Sequence, residues 1–182
     1  MKRLLAATVL VAVAVGGFLI VDRSRPDWYL RLRYPLHYSQ YVRVHARRNG
    51  LDAAFVAAVI YQESKFDVTA RSKSGAIGLM QVTPATARGI AIRTGGIAFS
   101  TKDLYNADIN IRYGSWYLRD LFAKYHSERL VLAAYNAGQG NVDRWLAAHE
   151  PIQFSETRAY ISRVEQLKSV YRSAWGHDLG YG

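Results

Sequence analysis

Apolar residues recur at intervals of three and four along the chain from about Leu36 onward. This spacing places them on one face of an α-helix, and no segment shows the strict alternation that is typical of a half-buried strand. Half of the residues are hydrophobic and 21% are charged, a composition that supports a packed core and excludes intrinsic disorder. The sequence therefore predicts an all-α domain over residues 36–176, followed by a short tail at 177–182.

Helix-capping residues divide this domain into segments. Asp52 precedes one apolar segment, the pair Thr83-Pro84 begins another, and Ser or Asn precedes later ones, as is typical of helix starts. We expect Gly89 to end the helix that begins at Thr83-Pro84, and Asn141 to cap a later one. The predicted helices are 37–48, 53–64, 84–88, 108–124, 128–135, 142–146 and a last one that starts near 155.

A second kind of segment precedes the domain. Residues 4–21 carry no charged side chain and follow two cations; as a helix they would span about 27 Å, close to the about 30 Å of a bilayer core. A cleaved signal peptide is the alternative, because Ala12 and Ala14 have the spacing of a cleavage site. Since the apolar run continues to Val21, a retained membrane anchor over residues 1–21 is favoured. Either segment predicts that the domain lies outside the cytoplasm.

Residues 22–35 are rich in basic and aromatic side chains and contain prolines at 26 and 35. They are interpreted as a connector.

The whole chain carries 24 Lys and Arg against 14 Asp and Glu, a net charge of +10. This charge favours an anionic partner, which could be a nucleic acid, a phospholipid surface or an acidic wall polymer. The predicted export segment argues against nucleic acid.

The chain has no cysteine, which excludes disulfides, thiol nucleophiles, iron–sulfur clusters and Cys-ligated zinc. Its five histidines have no metal-ligand spacing, and no glycine-rich phosphate loop follows a strand. The sequence therefore predicts neither a metal nor a cofactor.

One carboxyl lies on the apolar face of the helix predicted over residues 53–64. Glu63 follows Ile60, Val59 and Val56 by three, four and seven residues, spacings that share a helix face. Burial and the negative end of the helix dipole both raise the pKa of such a carboxyl. A glutamic acid still protonated near neutral pH can act as a general acid, so Glu63 is the candidate catalytic residue. A frayed helix end that leaves Glu63 solvated is the alternative.

Two further segments carry polar groups beside small residues. Residues 72–81 read Ser-Lys-Ser-Gly-Ala-Ile-Gly-Leu-Met-Gln, and the two glycines allow close approach of the backbone to a ligand. Gln81 suits hydrogen bonding to an uncharged polar ligand. Residues 133–138 end another helix with Tyr135 and Asn136. Each pattern alone is also typical of an ordinary turn or helix C-cap.

Taken together and in order, four motifs resemble the lytic transglycosylases of bacterial peptidoglycan, the soluble-type catalytic domain with a goose-lysozyme-like fold. The resemblance covers about Pro35 to Tyr171. It implies a lysozyme-like helical fold, peptidoglycan glycan strands as the substrate, and the cell envelope as the location. The motifs are Glu63-Ser64, Gly75-Ala76-Ile77-Gly78-Leu79-Met80-Gln81, Ala134-Tyr135-Asn136-Ala137-Gly138 and Glu156-Thr157-Arg158-Ala159-Tyr160.

The resemblance implies that Glu63 is the single catalytic acid and base, and that Ser72 and Gln81 contact the sugar and its acetamide. Lys73 stands where proline is common in the family, and Thr83 where methionine is often found; both bear on subsite contacts and neither on Glu63. The substrate-binding residues that the resemblance implies are Ser64, Ser72, Gly78, Met80, Gln81, Tyr135, Asn136, Glu156 and Tyr160.

Hydrolytic glycosidases ordinarily use two carboxylates, whereas only Glu63 has the helical placement for an elevated pKa. One acid suffices when the C6 hydroxyl of N-acetylmuramic acid (MurNAc) attacks its own C1, the intramolecular route of the family, which leaves a 1,6-anhydro end. A hydrolytic muramidase and a non-catalytic, cationic wall-binding module are the alternatives. Trp116, Trp145 and Tyr135 are candidate walls for sugar stacking, although most aromatic residues at helical spacing belong to the core.

Overall fold

The structure, a computed structural model, describes residues 10–11, 13–18, 21, 23–96 and 98–181. The chain divides into two units, residues 1–35 and 36–182. In the first unit, helix α1 (Asp27–Arg33) follows Pro26. Half of the anchor predicted over residues 4–21 lies outside the described residues. Within the described ranges, no helix combines the length and apolar composition needed to cross a bilayer.

The second unit is built from helices, which confirms the predicted all-α class. Between residues 36 and 181, apart from residue 97, β-structure is limited to isolated bridges that pair Ile77 with Arg71 and Val82. The helices are α2 (Ser39–Arg48), α3 (Ala53–Ser64), α4 (Pro84–Thr94), a short 3-10 helix (Thr101–Tyr105), α5 (Ala107–Tyr125), α6 (Glu128–Ala137), α7 (Gln139–Ala147) and α8 (Ser155–Ala174).

Helix α3 is the centre of the core. Every residue from 54 to 60 is buried, so this helix is enclosed on all sides by its neighbours, chiefly α8. Its start is capped by Asp52, whose carboxylate accepts hydrogen bonds from the backbone N–H of Ala54 and Phe55 at 2.8 and 3.3 Å. Its last turn, residues 61–64, is only half-buried. Glu63 therefore lies where the core helix reaches the surface.

Two predicted helix boundaries were wrong, the C-terminus expected at Gly89 and the N-terminus expected at Asn141. Helix α4 continues through Gly89 and is capped by Gly95, which has a φ of +77°. A single glycine weakens a helix by only about 1 kcal/mol and ends it only where a left-handed residue is required. Helix α7 begins directly after Gly138, and Asn141 lies inside it. The Asn141 side chain donates to the Ala137 carbonyl at 2.7 Å, so it caps the end of α6 instead of starting α7.

The residues after α8 return to the start of α3. Leu179 is buried, and the Tyr181 hydroxyl donates to Asp52 and accepts from the Ala54 N–H at 2.9 Å. Arg172 of α8 pairs with the same carboxylate. Asp52 thus joins the N-terminus of α3 to both α8 and the C-terminal residues, which fixes the core helix in position.

Candidate active site

Glu63 opens onto a cavity of about 380 Å³ between the ends of α3, α6 and α8. Its volume lies in the range typical of ligand pockets. Three of the polar residues singled out from the sequence line the cavity together with Glu63, although they come from distant parts of the chain. The lining residues are Gln62, Glu63, Asn136, Glu156, Ala159, Tyr160 and Arg163.

The ionisation of Glu63 is set by two opposed effects. Burial raises its pKa to about 7, while a hydrogen bond from the Tyr160 hydroxyl acts in the lowering direction. This hydroxyl donates to Glu63 Oε1 at 2.6 Å, so it stabilises the carboxylate form. A carboxyl with a pKa of about 7 is present in both forms at neutral pH and can both donate and accept a proton.

Two tyrosines flank Glu63 as permanent hydrogen-bond donors. Burial and the nearby charge of Glu63 raise the pKa of both Tyr135 and Tyr160 well above the usual range. Tyr135 donates its hydroxyl to the Met80 carbonyl at 2.6 Å, and its ring packs against Tyr117 with 5.6 Å between centroids. Tyr160 therefore acts directly on Glu63, and Tyr135 holds the loop beside it.

The loop that follows Glu63 is anchored by buried polar side chains. The Ser64 hydroxyl donates to the Leu79 carbonyl at 2.8 Å. Asn110, fully buried on α5, accepts from the Met80 N–H at 2.8 Å and donates to the Ile77 carbonyl at 2.9 Å. These bonds satisfy backbone groups of a loop that has almost no regular structure, so residues 77–80 have a defined position relative to Glu63.

Gly78 is the tightest point of this loop. Its φ is +75°, and a Cβ there would lie 2.5 Å from the Leu104 carbonyl oxygen and collide with the Asn110 amide. Two residues further along the chain, the Met80 side chain packs directly on Gly114 of α5. Both glycines therefore permit a close approach that any larger residue would prevent.

Gln81 and Ser72 are placed within the loop and do not line the Glu63 cavity. The Gln81 amide donates to the carbonyls of Gly78 and Ala70 at 2.9 and 3.2 Å, and its φ is +48°. The Ser72 hydroxyl accepts from the Ala76 N–H at 3.0 Å. In this structure both side chains hold the shape of the loop.

Asn136 and Glu156 lie at the exposed rim of the cavity. Asn136 is oriented by Thr157, whose hydroxyl donates to its Oδ1 at 2.8 Å. Thr157 is itself buried. The orienting roles of Thr157 and Asn110 were missed from the sequence. The sequence did contain a signal for Asn110. It lies four residues before Gly114 and therefore on the same face of α5, so an amide on a buried helix face could have been predicted.

The candidate stacking tryptophans do not line this cavity. Trp145 is buried and packs edge-on against Phe154 with 5.0 Å between centroids, so it belongs to the core. The Arg93 and Arg119 guanidiniums lie 4.5 and 5.0 Å from the centroid of the Trp116 ring. In the described part of the chain, no group of three His, Asp or Glu side chains could hold a metal ion.

The chain is similar to bacterial enzymes over most of its length. The profile of the transglycosylase SLT domain matches residues 40–156. A putative soluble lytic murein transglycosylase of Haemophilus influenzae is 35% identical over 168 residues, 85% of this chain and 28% of the relative. A membrane-bound lytic murein transglycosylase F of Desulfosudis oleivorans is 31% identical, with 81% and 35% covered.

A solved structure shares the fold. The lytic transglycosylase Slt of Pseudomonas aeruginosa, solved as an inactive variant with a glutamate replaced by glutamine, superposes with a TM-score of 0.73. It is 33% identical, and the match covers 86% of this chain and 27% of that one. This confirms the lysozyme-like helical fold. The chain spans about a quarter to a third of the length of these three relatives. With the profile matched over residues 40–156, the chain belongs to the transglycosylase SLT domain family.

Proposed function

We propose that this protein is a lytic murein transglycosylase, which cleaves the β-1,4 bond between MurNAc and N-acetylglucosamine and leaves a 1,6-anhydro-MurNAc end. The observation that carries the proposal is a glutamate with a pKa of about 7 that opens onto a cavity. The relatives named as lytic murein transglycosylases support the reaction class.

In the proposed reaction, protonated Glu63 donates its proton to the glycosidic oxygen as the bond from C1 to that oxygen breaks. The C6 hydroxyl of the same MurNAc then attacks C1, and the Glu63 carboxylate accepts the hydroxyl proton. One C–O bond breaks, one forms, no water is consumed, and Glu63 regains its proton. The N-acetyl carbonyl oxygen stabilises the positive charge that develops at C1.

The other nearby carboxylates favour this single-acid mechanism. Asp67 is exposed, and hydrogen bonds from the hydroxyl and N–H of Thr69 lower its pKa. It is therefore ionised at neutral pH and has no proton to donate as a general acid. Glu156 lies at the exposed rim of the cavity. Because no second carboxyl shares the buried position of Glu63 in the described cavity, the substrate's own hydroxyl is the nucleophile that fits best.

Part of the set of substrate contacts expected from the motifs is kept in the proposal, whereas Ser72, Gln81 and Tyr135 hold the loop beside Glu63. Asn136, Glu156 and Tyr160 would face the bound sugars, since they line the cavity with Glu63. Ser64, Gly78 and Met80 would shape the adjoining loop. The proposed location is the cell envelope, with the membrane bound through residues 4–21, and the membrane-bound relative supports this location.

The test uses the full chain and purified peptidoglycan sacculi, with products analysed by mass spectrometry. We expect anhydro products, which lack one water compared with hydrolysis products. Glu63→Gln should reduce turnover by about 10²–10⁴-fold while binding to sacculi persists. Glu165→Gln, at an exposed site on α8, is the matched control and should retain parental turnover.

Each other outcome excludes the proposal in a different way. Reducing ends in the products would identify a muramidase. Binding without cleavage by the parent chain would identify a wall-binding module. Parental turnover in Glu63→Gln would remove Glu63 from the mechanism.

A further inference from the structure

A second cavity, of about 430 Å³, lies between α2, α4 and α5. It shares no lining residue with the Glu63 cavity, and the proposed reaction does not use it. Its volume also suits a small ligand or a short peptide segment. It is lined by His45, Arg48, Asn49, Ile90, Thr94, Gly95, Gly96, Arg112, Tyr113 and Trp116.

The lining of this cavity is cationic. Arg48 and Arg112 contribute two guanidiniums, and no Asp or Glu is among the lining residues. Over the described ranges, neither arginine is joined to a carboxylate by an ion pair. By contrast, the nearby Arg93 pairs with Asp120 at 3.4 Å. Two guanidiniums at one cavity, both without a carboxylate partner, favour an anionic ligand.

The polar lining is held in place before any ligand binds. His45 is 2% exposed, and its Nε2 is hydrogen-bonded to Asp108 Oδ1 at 2.6 Å. The Asp108 carboxylate therefore already has a partner within the protein. The Asn49 amide donates to the His45 carbonyl at 2.8 Å, and the Thr94 hydroxyl donates to the Ile90 carbonyl at 2.8 Å. The oxygens of Asn49 and Thr94 are thereby left to act as acceptors.

We infer that this cavity binds the peptide stem attached to MurNAc, by way of a stem carboxylate; the inference rests on the proposed function. Arginine binds a carboxylate in a planar, two-bonded geometry. The acceptor oxygens of Asn49 and Thr94 suit the N–H donors of a peptide, and a phosphate group has no such donors. The rings of Tyr113 and Trp116 also line the cavity, where the Arg112 guanidinium lies 5.3 Å from the centroid of Tyr113. The site would therefore hold peptide-bearing strands independently of the catalytic cavity.

The test compares two soluble probes: a disaccharide that carries its stem peptide, and the same disaccharide after the peptide has been removed. Binding is measured by calorimetry with the full chain in the Glu63→Gln background, which prevents turnover. The variant pair Arg48→Gln and Arg112→Gln should weaken binding of the peptide-bearing probe about tenfold or more and leave the peptide-free probe unchanged. A control pair with the same loss of charge, Lys102→Gln and Arg144→Gln at exposed sites, should change neither.

Several outcomes would overturn the inference. An equal loss of binding in the control pair would show a general charge effect, and an unchanged affinity in Arg48→Gln with Arg112→Gln would exclude the site. Arginine-dependent binding of inorganic phosphate or of phosphatidylglycerol vesicles, without such binding of the peptide probe, would assign the site to another anion. Cleavage of peptide-free glycan strands by the parent chain is measured in parallel, so that a failure of the proposed function is seen separately.

Discussion

The Tyr160 hydroxyl donates a hydrogen bond to Glu63 Oε1 at 2.6 Å, across 97 positions of the chain. Burial at the end of α3 raises the pKa of the Glu63 carboxyl, and this bond from α8 counteracts the rise, with the result at about 7. The contact therefore links the packing of α8 on α3 to the proton affinity of the candidate catalytic acid.

Tyr160→Phe should move the pH profile of cleavage. If protonated Glu63 is the active acid, kcat/KM falls as the pH rises through its pKa. The variant loses the bond that stabilises the carboxylate, so the pKa of Glu63 rises and this fall should shift upward by about one pH unit. The shift is measured from kcat/KM for cleavage of soluble glycan strands between pH 5 and pH 9. Tyr117→Phe, which contacts Tyr135, is the control, and a downward shift in Tyr160→Phe would contradict the argument.

Glu63 should make the folded protein less stable as the pH rises from about 4.5 to about 7. Its pKa is raised from 4.5 to about 7 by burial, so over this range the folded state binds the proton more tightly than the unfolded state does. The free energy of unfolding should therefore fall by up to about 3 kcal/mol. Glu63→Gln removes this fall. Asp52, whose pKa is lowered in the folded protein, also makes the free energy of unfolding depend on pH, but it does so equally in both proteins and cancels in their comparison.

Urea denaturation at pH 4 and pH 8 measures this effect. The variant should gain stability relative to the parent between the two values. An equal pH dependence in both proteins would mean that Glu63 is not desolvated in the folded state.

Gly75→Ala and Gly78→Ala should differ strongly in stability although both glycines have positive φ. Gly75 (φ +83°) has open space around its Cβ position, so its variant bears only the conformational cost of about 1 kcal/mol. At Gly78 (φ +75°) the new Cβ also meets the Asn110 amide and the Leu104 carbonyl, which adds about 1–3 kcal/mol. Thermal unfolding of both variants tests this, and equal costs would exclude the close approach at Gly78.

Tyr135→Phe should destabilise the protein by about 1–2 kcal/mol, because the Met80 carbonyl loses its donor in a desolvated position. Tyr117→Phe provides the matched change in the neighbouring ring and should cost less than about 0.5 kcal/mol. Chemical denaturation measures both. If the two losses are equal, the bond from Tyr135 to Met80 does not stabilise the loop.

Local patterns were sufficient for much of the fold. The bounds of α3 follow from the Asp52 cap and the apolar spacing, and these also place Glu63 at the end of a buried helix. The errors at Gly89 and Asn141 arose because a glycine or an asparagine has several local roles. Which role it takes depends on the neighbouring segments: Gly95 ends α4, and Asn141 caps the end of α6.

The sequence by itself determined a helical domain and a carboxyl on an apolar helix face, since both depend on residues within two turns of one another. Only the tertiary structure decided that Tyr160 donates to this carboxyl and that Asn110 holds the loop beside it. It also decided that Arg48 and Arg112 border one cavity. Such contacts join residues that are far apart in the chain, and their geometry depends on how the helices pack, which no local spacing encodes.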